Sequence, residues 1–548
     1  MPTADNAGKP GASGILGRFL PAALLLVTVV FVAAVRWRLL QVPLERDEGE
    51  YAYVAQLLLG GYPPYAFAYS LKLPGTFFAY AFFLQAFGQS IEGIRVGLLL
   101  LNLVAIVFLF LIARDLCGET AGIAASASYA VLSLGPSVLG IYSHATHFVM
   151  AFVLPGLWIF LRTFRGDRPP VHYLLSGLLL GTGFTMKQHA AFFVAFPVLY
   201  LFVAGRMKDV PRKTTFLRSG CYSIGAAIPF AAICVYLYAA GVFDRFWFWT
   251  FDYAREYVSE IPVGAGLGSL VSQTLNVARP SLLLWLLAVA GIFSLFAEKP
   301  SREDRLFVSG FLAVSVLAIC PGFYFREHYY ILLLPAICLL IGASVQTMRG
   351  HVERRGSRSL SLVLSSLAFL AAMAQALYHD KGYYFTDPAE TVGRYMSGGN
   401  PFPESPAIAK YIEGSTSPSD RILVLGSEPQ IYFYSRRISA TGHIYMYGLM
   451  ENQKYARSMQ REMMKEIVSA DPEFIVVVTA PTSWLISPVS DTSIVEWANR
   501  YAAEKFELVG VADKISIDRT NFLWHRDALG YLPQSESVIY LFKKRRSA

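Results

Sequence analysis

The sequence predicts a polytopic α-helical membrane protein that ends in an extracytoplasmic α/β domain. Three observations carry this. Of its 548 residues, 54% are hydrophobic and the mean hydropathy is +0.43, too apolar for an ordinary soluble chain. Apolar runs of membrane-spanning length recur as far as about residue 378. Beyond about residue 379 they give way to short strand-like segments alternating with helical patterns. The predicted organisation is a transmembrane domain over 1–378, with a first outer loop over 36–92, and an extracytoplasmic α/β domain over 379–548.

The spans read, in order, as roughly 15–35, 93–113, 120–140, 146–162, 172–186, 189–205, 219–240, 281–297, 306–321, 328–347 and 359–378. The first lacks a small-x-small cleavage site and reads as a retained span. A further apolar segment, 73–88, lies between Pro74 and Gly88 and is short for a crossing. Loop charge decides its placement. Lys9 and Arg18, Arg114, Arg162 to Arg168, Arg206 to Arg218 and Arg349 to Arg358 all fall inside only if 73–88 does not cross. This gives about eleven spans in a multi-pass plasma (inner) membrane protein, with the N-terminus in and the C-terminal region out. The outer face then collects Asp47 and Glu48, Lys72, His144 and His147, Lys187 to His189, the aromatic loop near Trp249 and Arg326 to Tyr329.

The net charge of +8 comes from these anchoring loops and predicts no nucleic-acid partner; membrane lipids are the expected surroundings. The five scattered cysteines have no metal spacing and predict no disulfide framework. In the C-terminal region, 421–426 and 472–478 read as buried strands, and segments near 431–434, 506–511 and 537–542 read as strands too. Gly426-Ser427-Glu428-Pro429 lacks the glycine spacing of a nucleotide site and reads as a turn.

The stretch Arg46 to Tyr51 carries three carboxylates directly after the first apolar run. Tyr51, Val54, Ala55 and Leu58 then form one apolar helix face, and Asp47 lies on that face one turn earlier. Asp47 and Glu50 have the spacing of a capping box, so Asp47 is either a cap or a catalyst. Lys187 sits between two apolar runs, where a charge costs about 2.5–3.5 kcal/mol unless it snorkels or meets a counter-charge. It reads as a snorkelling lysine or as a phosphate contact. Arg326 and His328 could donate to a phosphate, or stand with Tyr329 in an interfacial belt. No cofactor is assigned, but His144 and His147 with Asp47 and Glu48 have the donor types for a divalent metal.

An acidic pair with a following tyrosine (Asp47, Glu48, Tyr51), a Tyr62-Pro63-Pro64 turn and Lys72-Leu73-Pro74 opening a short apolar segment resemble the GT-C glycosyltransferases. The nearest branch is the bacterial one that includes aminoarabinose transferases and relatives of protein O-mannosyltransferases. Gly181 to Gln188 and His328 to Pro335 are similar to family segments, and the resemblance covers about residues 15–350. Lys72-Leu73-Pro74 departs from the family's Lys-Pro-Pro, and His147 stands where an acid is often found. The resemblance implies transfer of a sugar from a polyprenyl-phosphate donor to an extracytoplasmic glycan, lipid or protein acceptor. On that reading the displacement inverts, Asp47 is the general base and Glu48 orients Asp47 or the acceptor. Tyr51, Tyr62, Lys72, His144, Lys187, Gln188, Arg326, His328 and Tyr329 would bind substrate. The competing reading is a transporter or flippase for lipid-linked sugars, for which the two-fold repeat common in transporters is missing from the sequence.

Overall fold

The computed structural model describes residues 12–259, 261–297, 301–355, 358–391 and 399–545. Its N-terminal part is a bundle of helices. α1 (Ala12–Arg38) leads into α2 (Arg46–Leu59), then α3 (Gly75–Phe87), α4 (Ile91–Cys117), α5 (Glu119–Leu132), α6 (Ala145–Arg165), α7 (Val171–Met186), α8 (Ala191–Met207) and α9 (Arg212–Ala239). Among the described residues six helices are long and apolar enough to cross a membrane: 91–117, 145–165, 188–207, 212–239, 264–296 and 360–379. The chain is a polytopic membrane protein. The anticipated span over 172–186 is the 16-residue α7, and that over 120–140 is split into α5 and a 3₁₀ turn, Pro136–Val138. Length and composition alone therefore do not reach about eleven. The 13 residues of α3 rise only about 20 Å, short of the roughly 30 Å hydrocarbon thickness.

α2 starts where the acidic stretch predicts, but its cap is a different pair. Glu45 is the N-cap: its side chain accepts from the Glu48 N–H, and Glu48 reaches back to the Glu45 N–H. The capping box is Glu45/Glu48, not Asp47/Glu50, so neither Asp47 nor Glu50 is spent on the helix end. Glu48 is fully buried. It takes both terminal nitrogens of Arg95 on α4 and the Ser143 N–H at 2.5 Å. Arg95 also donates to the Ile141 carbonyl at 3.0 Å. This buried pair ties α2 to α4 and to the turn before α6.

The C-terminal part holds a six-stranded sheet of order β2-β1-β3-β6-β4-β5. The strands are β1 (Arg421–Leu425), β2 (Ile438–Ser439), β3 (Phe474–Val478), β4 (Phe506–Lys514), β5 (Thr520–Trp524) and β6 (Val538–Lys544). β1 pairs parallel with β2 and β3, and β6 joins β3 to β4 antiparallel. The segment near 431–434 is a helix, Gln430–Ser435, not the expected strand. An apolar run of four cannot by itself distinguish the two. Here the run follows Pro429 and packs on α2, where Gly49 lies so close to the Gln430 backbone that no Cβ fits.

The sheet domain docks directly on α2 and the loop behind it. The Ser439 N–H donates to the Tyr53 hydroxyl at 2.8 Å, the Leu44 N–H to the Tyr434 hydroxyl at 2.7 Å, and Arg46 pairs with buried Glu428 at 3.0 Å. One apolar core runs through both parts. Replacing Glu48 by Ala leaves Arg95 buried and uncompensated. It should destabilise the protein by about 3–5 kcal/mol, read as a lowered thermal midpoint in detergent.

Candidate active site

A cavity of about 220 Å³ lies where α2, the ends of α3 and α7, the segment Phe248–Val258, the turn 321–329 and the sheet domain meet. Asp47, Tyr51, Lys72, Lys187, Gln188, Arg326, His328 and Tyr329 all line it. These eight residues come from four regions of the sequence.

Local structure explains why they converge. Asp47 and Glu50 lie one turn apart on α2 and both face the Lys72 ammonium, at 2.7 and 2.5 Å. Lys72 also lies over the rings of Tyr51 and Tyr445, at 4.6 and 5.4 Å. Gly75 at the start of α3 abuts the Thr185 carbonyl near the end of α7, an approach that any side chain would block. The Thr76 hydroxyl donates to the Met186 carbonyl at 3.0 Å, and Gln188 to the Leu71 carbonyl at 2.8 Å. Lys187 takes an extended conformation between α7 and the next turn. These contacts hold Lys72 and Lys187 on the same side of the bundle.

The charges differ in how they are compensated. Enclosure, the largest influence, would raise the Asp47 carboxyl, but the Lys72 ammonium beside it, together with His144 and His328, holds Asp47 well below the usual carboxylate range. Lys72 is in turn held charged: enclosure opposes its charge, and Asp47 and Glu50 overcome that. Lys187 is partly buried and has no carboxylate at ion-pair distance among the described residues; its ammonium lies 4.6 Å from the Tyr329 ring centre. Enclosure pushes it down to about 8, with Asp47 pulling it up and Lys72 and Arg326 pushing it further down. Arg326 donates to the Tyr257 hydroxyl at 3.2 Å.

Three expected residues lie elsewhere. Glu48 is outside the cavity, committed to Arg95, and does not orient Asp47. Tyr62 is 40% exposed and packs edge-on against Phe67. His147 is buried with neither ring nitrogen hydrogen-bonded among the described residues, and it is not part of the cluster that Asp47 forms. The histidine that joins His144 is His328: their rings stack at 4.1 Å, and His144 Nδ1 is 3.9 Å from Asp47 Oδ2. One ligand atom each from Asp47, His144 and His328 lies within 4.8 Å of the others. Two imidazoles and a carboxylate suit a divalent transition metal, and neither nitrogen of His144 has a hydrogen-bond partner among the described residues, Nδ1 standing 3.7 Å from Glu45 Oε1 as well. Ligands about 2.1 Å from a tetrahedral ion lie about 3.4 Å apart, so a metal would draw the three closer.

Several lining residues had no sequence signal. Glu50 reads as a cap partner by spacing. His443, Tyr445, Tyr447 and Glu451 come from the sheet domain, some 400 residues away from α2. Tyr445 is the most direct of these. Its hydroxyl donates to Asp47 Oδ1 at 3.2 Å and to the Arg46 carbonyl at 3.1 Å. Lys72 and Tyr445 therefore share Oδ1, leaving Oδ2 toward His144. The wall over Phe248–Tyr253 is π-helical, a form that recurs at functional sites.

Residues 72–241 match the family of dolichyl-phosphate-mannose-protein mannosyltransferases. No curated protein sequence matches the chain. Among solved structures, ArnT from Cupriavidus metallidurans bound to undecaprenyl phosphate aligns over 97% of this chain and 98% of its own, at 14% identity and a TM-score of 0.57. The archaeal oligosaccharyltransferase AglB from Archaeoglobus fulgidus, in complex with an inhibitory peptide and dolichol-phosphate, aligns over 95% of this chain and 75% of its own, at 12% identity and a TM-score of 0.56. The chain has the GT-C fold of these proteins. The likeness of fold extends over nearly the whole chain, sheet domain included, whereas the sequence resemblance covers about residues 15–350.

A lysine poised near pH 8 makes a prediction. Its charged form, which attracts an anion, dominates below that pH and is lost above it. Undecaprenyl phosphate, past its own second ionisation near pH 6, should bind more weakly from pH 7.5 to 9.5, by up to about tenfold per unit above pH 8. The Lys187→Arg variant should show a flat profile over the same range in a quenching titration.

Proposed function

We propose that the protein transfers a sugar from a polyprenyl-phosphate donor to an acceptor on the extracytoplasmic side of the membrane. The observation that carries this is Lys187: a partly buried cation with no carboxylate partner among the described residues, in the same cavity as an ionised Asp47. A cation so placed needs an anion that the protein does not supply. In a GT-C fold the lipid-linked phosphate is that anion. The ArnT structure holds undecaprenyl phosphate and the AglB structure dolichol-phosphate, which supports the same class of ligand here.

The chemistry is an inverting displacement. An acceptor hydroxyl oxygen bonds to the anomeric carbon of the donor sugar. The bond from that carbon to the phosphate oxygen breaks, and its electron pair leaves with the polyprenyl phosphate. Lys187 and Arg326 stabilise the charge that develops on the leaving phosphate. The hydroxyl proton passes to Asp47, which Lys72 keeps ionised and which Lys72 and Tyr445 hold by Oδ1, leaving Oδ2 as the proton acceptor. A divalent metal, were one bound, would sit on Asp47, His144 and His328 and supply positive charge near the phosphate. The sheet domain would lie outside the cytoplasm with the cavity, because the basic loops from Arg162 to Arg218 favour the opposite face.

Vesicles reconstituted with the protein and a panel of polyprenyl-phosphate sugars test this. Wild type should transfer label to an acceptor extract, and Asp47→Asn should lower turnover about 10²–10⁴-fold with the protein still folded. Because Glu45 caps the helix, loss of activity in Asp47→Asn cannot come from a lost cap. Equal transfer by both proteins would remove Asp47 from the reaction. Passage of tail-labelled donor across the bilayer without transfer would instead indicate a flippase. Tyr445→Phe removes one hydrogen bond to a carboxylate and should lower kcat about tenfold with little change in donor KM.

A further inference from the structure

The cavity has a second wall on which the mechanism above makes no demand. It is built by Tyr69, Trp249, Tyr253, His443 and Glu451. Tyr69 and Trp249 stack at 5.4 Å, and the His443 ring stands edge-on to both, at 5.0 and 5.5 Å. The Tyr253 hydroxyl donates to Glu451 at 2.6 Å. Two more carboxylates stand behind this wall. Glu462 faces His443 Nε2 at 3.2 Å, and Glu466 accepts from the Tyr69 hydroxyl at 2.5 Å. The Arg245 guanidinium lies over the Tyr69 ring at 5.2 Å. His443 is buried, and its Nδ1 has no partner among the described residues. His443 lines the cavity, and a buried polar atom left unmet in such a residue calls for an explanation that a ligand can supply.

We infer that this wall is the acceptor subsite, and that the acceptor is a neutral sugar ring presenting a hydroxyl to Asp47. The inference rests on the glycosyltransferase reading and names its acceptor class. Three features carry it. The wall is aromatic, and a sugar's C–H face packs on aromatic rings while its hydroxyls need a few placed polar groups. Nδ1 of His443 is such a group. The wall is acidic, with Glu451, Glu462 and Glu466 against Arg245, so a phosphorylated or carboxylated acceptor meets repulsion there. The cations that would welcome an anion, Lys187 and Arg326, belong to the other set of contacts, with Tyr329 and Tyr257. Tyr445 lies on the same sheet-domain segment as His443 and touches Asp47, so an acceptor on this wall is next to the base.

Binding without turnover tests the inference on the full-length protein in nanodiscs. The probes are chitotetraose, cellotetraose and mannotetraose, the same sugars carrying a phosphate monoester, a Ser/Thr-rich peptide and undecaprenyl phosphate, each followed by tryptophan fluorescence. At least one neutral oligosaccharide should bind, and its phosphorylated form at least about tenfold more weakly. His443→Ala should weaken the neutral sugar about tenfold, the loss of roughly one hydrogen bond, and leave undecaprenyl phosphate affinity unchanged. Trp249→Phe, which keeps an aromatic ring in place, should weaken it a few-fold by the same assay. Tighter binding of the phosphorylated sugar or the peptide, no binding of any neutral sugar, or an unaltered His443→Ala variant would overturn the inference. If wild type failed to bind undecaprenyl phosphate, the glycosyltransferase reading itself would fall.

Discussion

The Lys72 ammonium lies between Asp47 and Glu50 and over two tyrosine rings, and the site is arranged around it. A lysine so enclosed is costly unless compensated. Two carboxylates one helical turn apart compensate it, which requires α2 to be in place. One of the two rings belongs to Tyr445, which requires the sheet domain to be docked. In return Lys72 keeps Asp47 ionised. The positioning of the base, the first outer helix and the C-terminal domain are thus coupled through one cation.

That coupling explains why α2 is held from three sides. Glu45 and Glu48 close its first turn. Glu48 then reaches into the bundle to Arg95, and Gly49 admits the Gln430 backbone from the sheet domain. Neighbouring acids on α2 have separate tasks that follow from which way each points. Glu48 faces the bundle interior and is saturated. Asp47 and Glu50 face the cavity, and Asp47 keeps 25% of its side chain accessible. Lys187 differs from Lys72 in having no carboxylate partner among the described residues, which is why one reads as a structural clamp and the other as a ligand contact.

Much of the site was legible in the sequence, for definite reasons. A charge between apolar runs is expensive, so Lys187, Arg326 and the acids of α2 stood out, and loop charge put them on one face. Spacing alone misled where two patterns overlapped. Asp47/Glu50 and Glu45/Glu48 both fit a capping box, and only the backbone decides between them. His147 and His328 are both near His144, but one is three residues away in sequence and the other meets it only in the fold. The acidic pair of the resemblance sets Glu48 beside Asp47, yet neighbours on a helix point about 100° apart. Tyr445 and His443 were beyond reach: nothing in a local pattern reports a contact across 400 residues. The strand expected near 431–434 failed because four apolar residues fit helix and strand alike.

The proposed reaction depends on a lipid phosphate seated beside Asp47 on Lys187 and Arg326, cations with no carboxylate partner among the described residues. Cryo-electron microscopy of the protein in nanodiscs with undecaprenyl phosphate tests it most directly. The account predicts phosphate density in contact with Lys187 and Arg326, with the isoprenoid tail leaving between the helices and Asp47 still held by Lys72. Density for the headgroup elsewhere, with the cavity empty or filled only by ordered water, would contradict it.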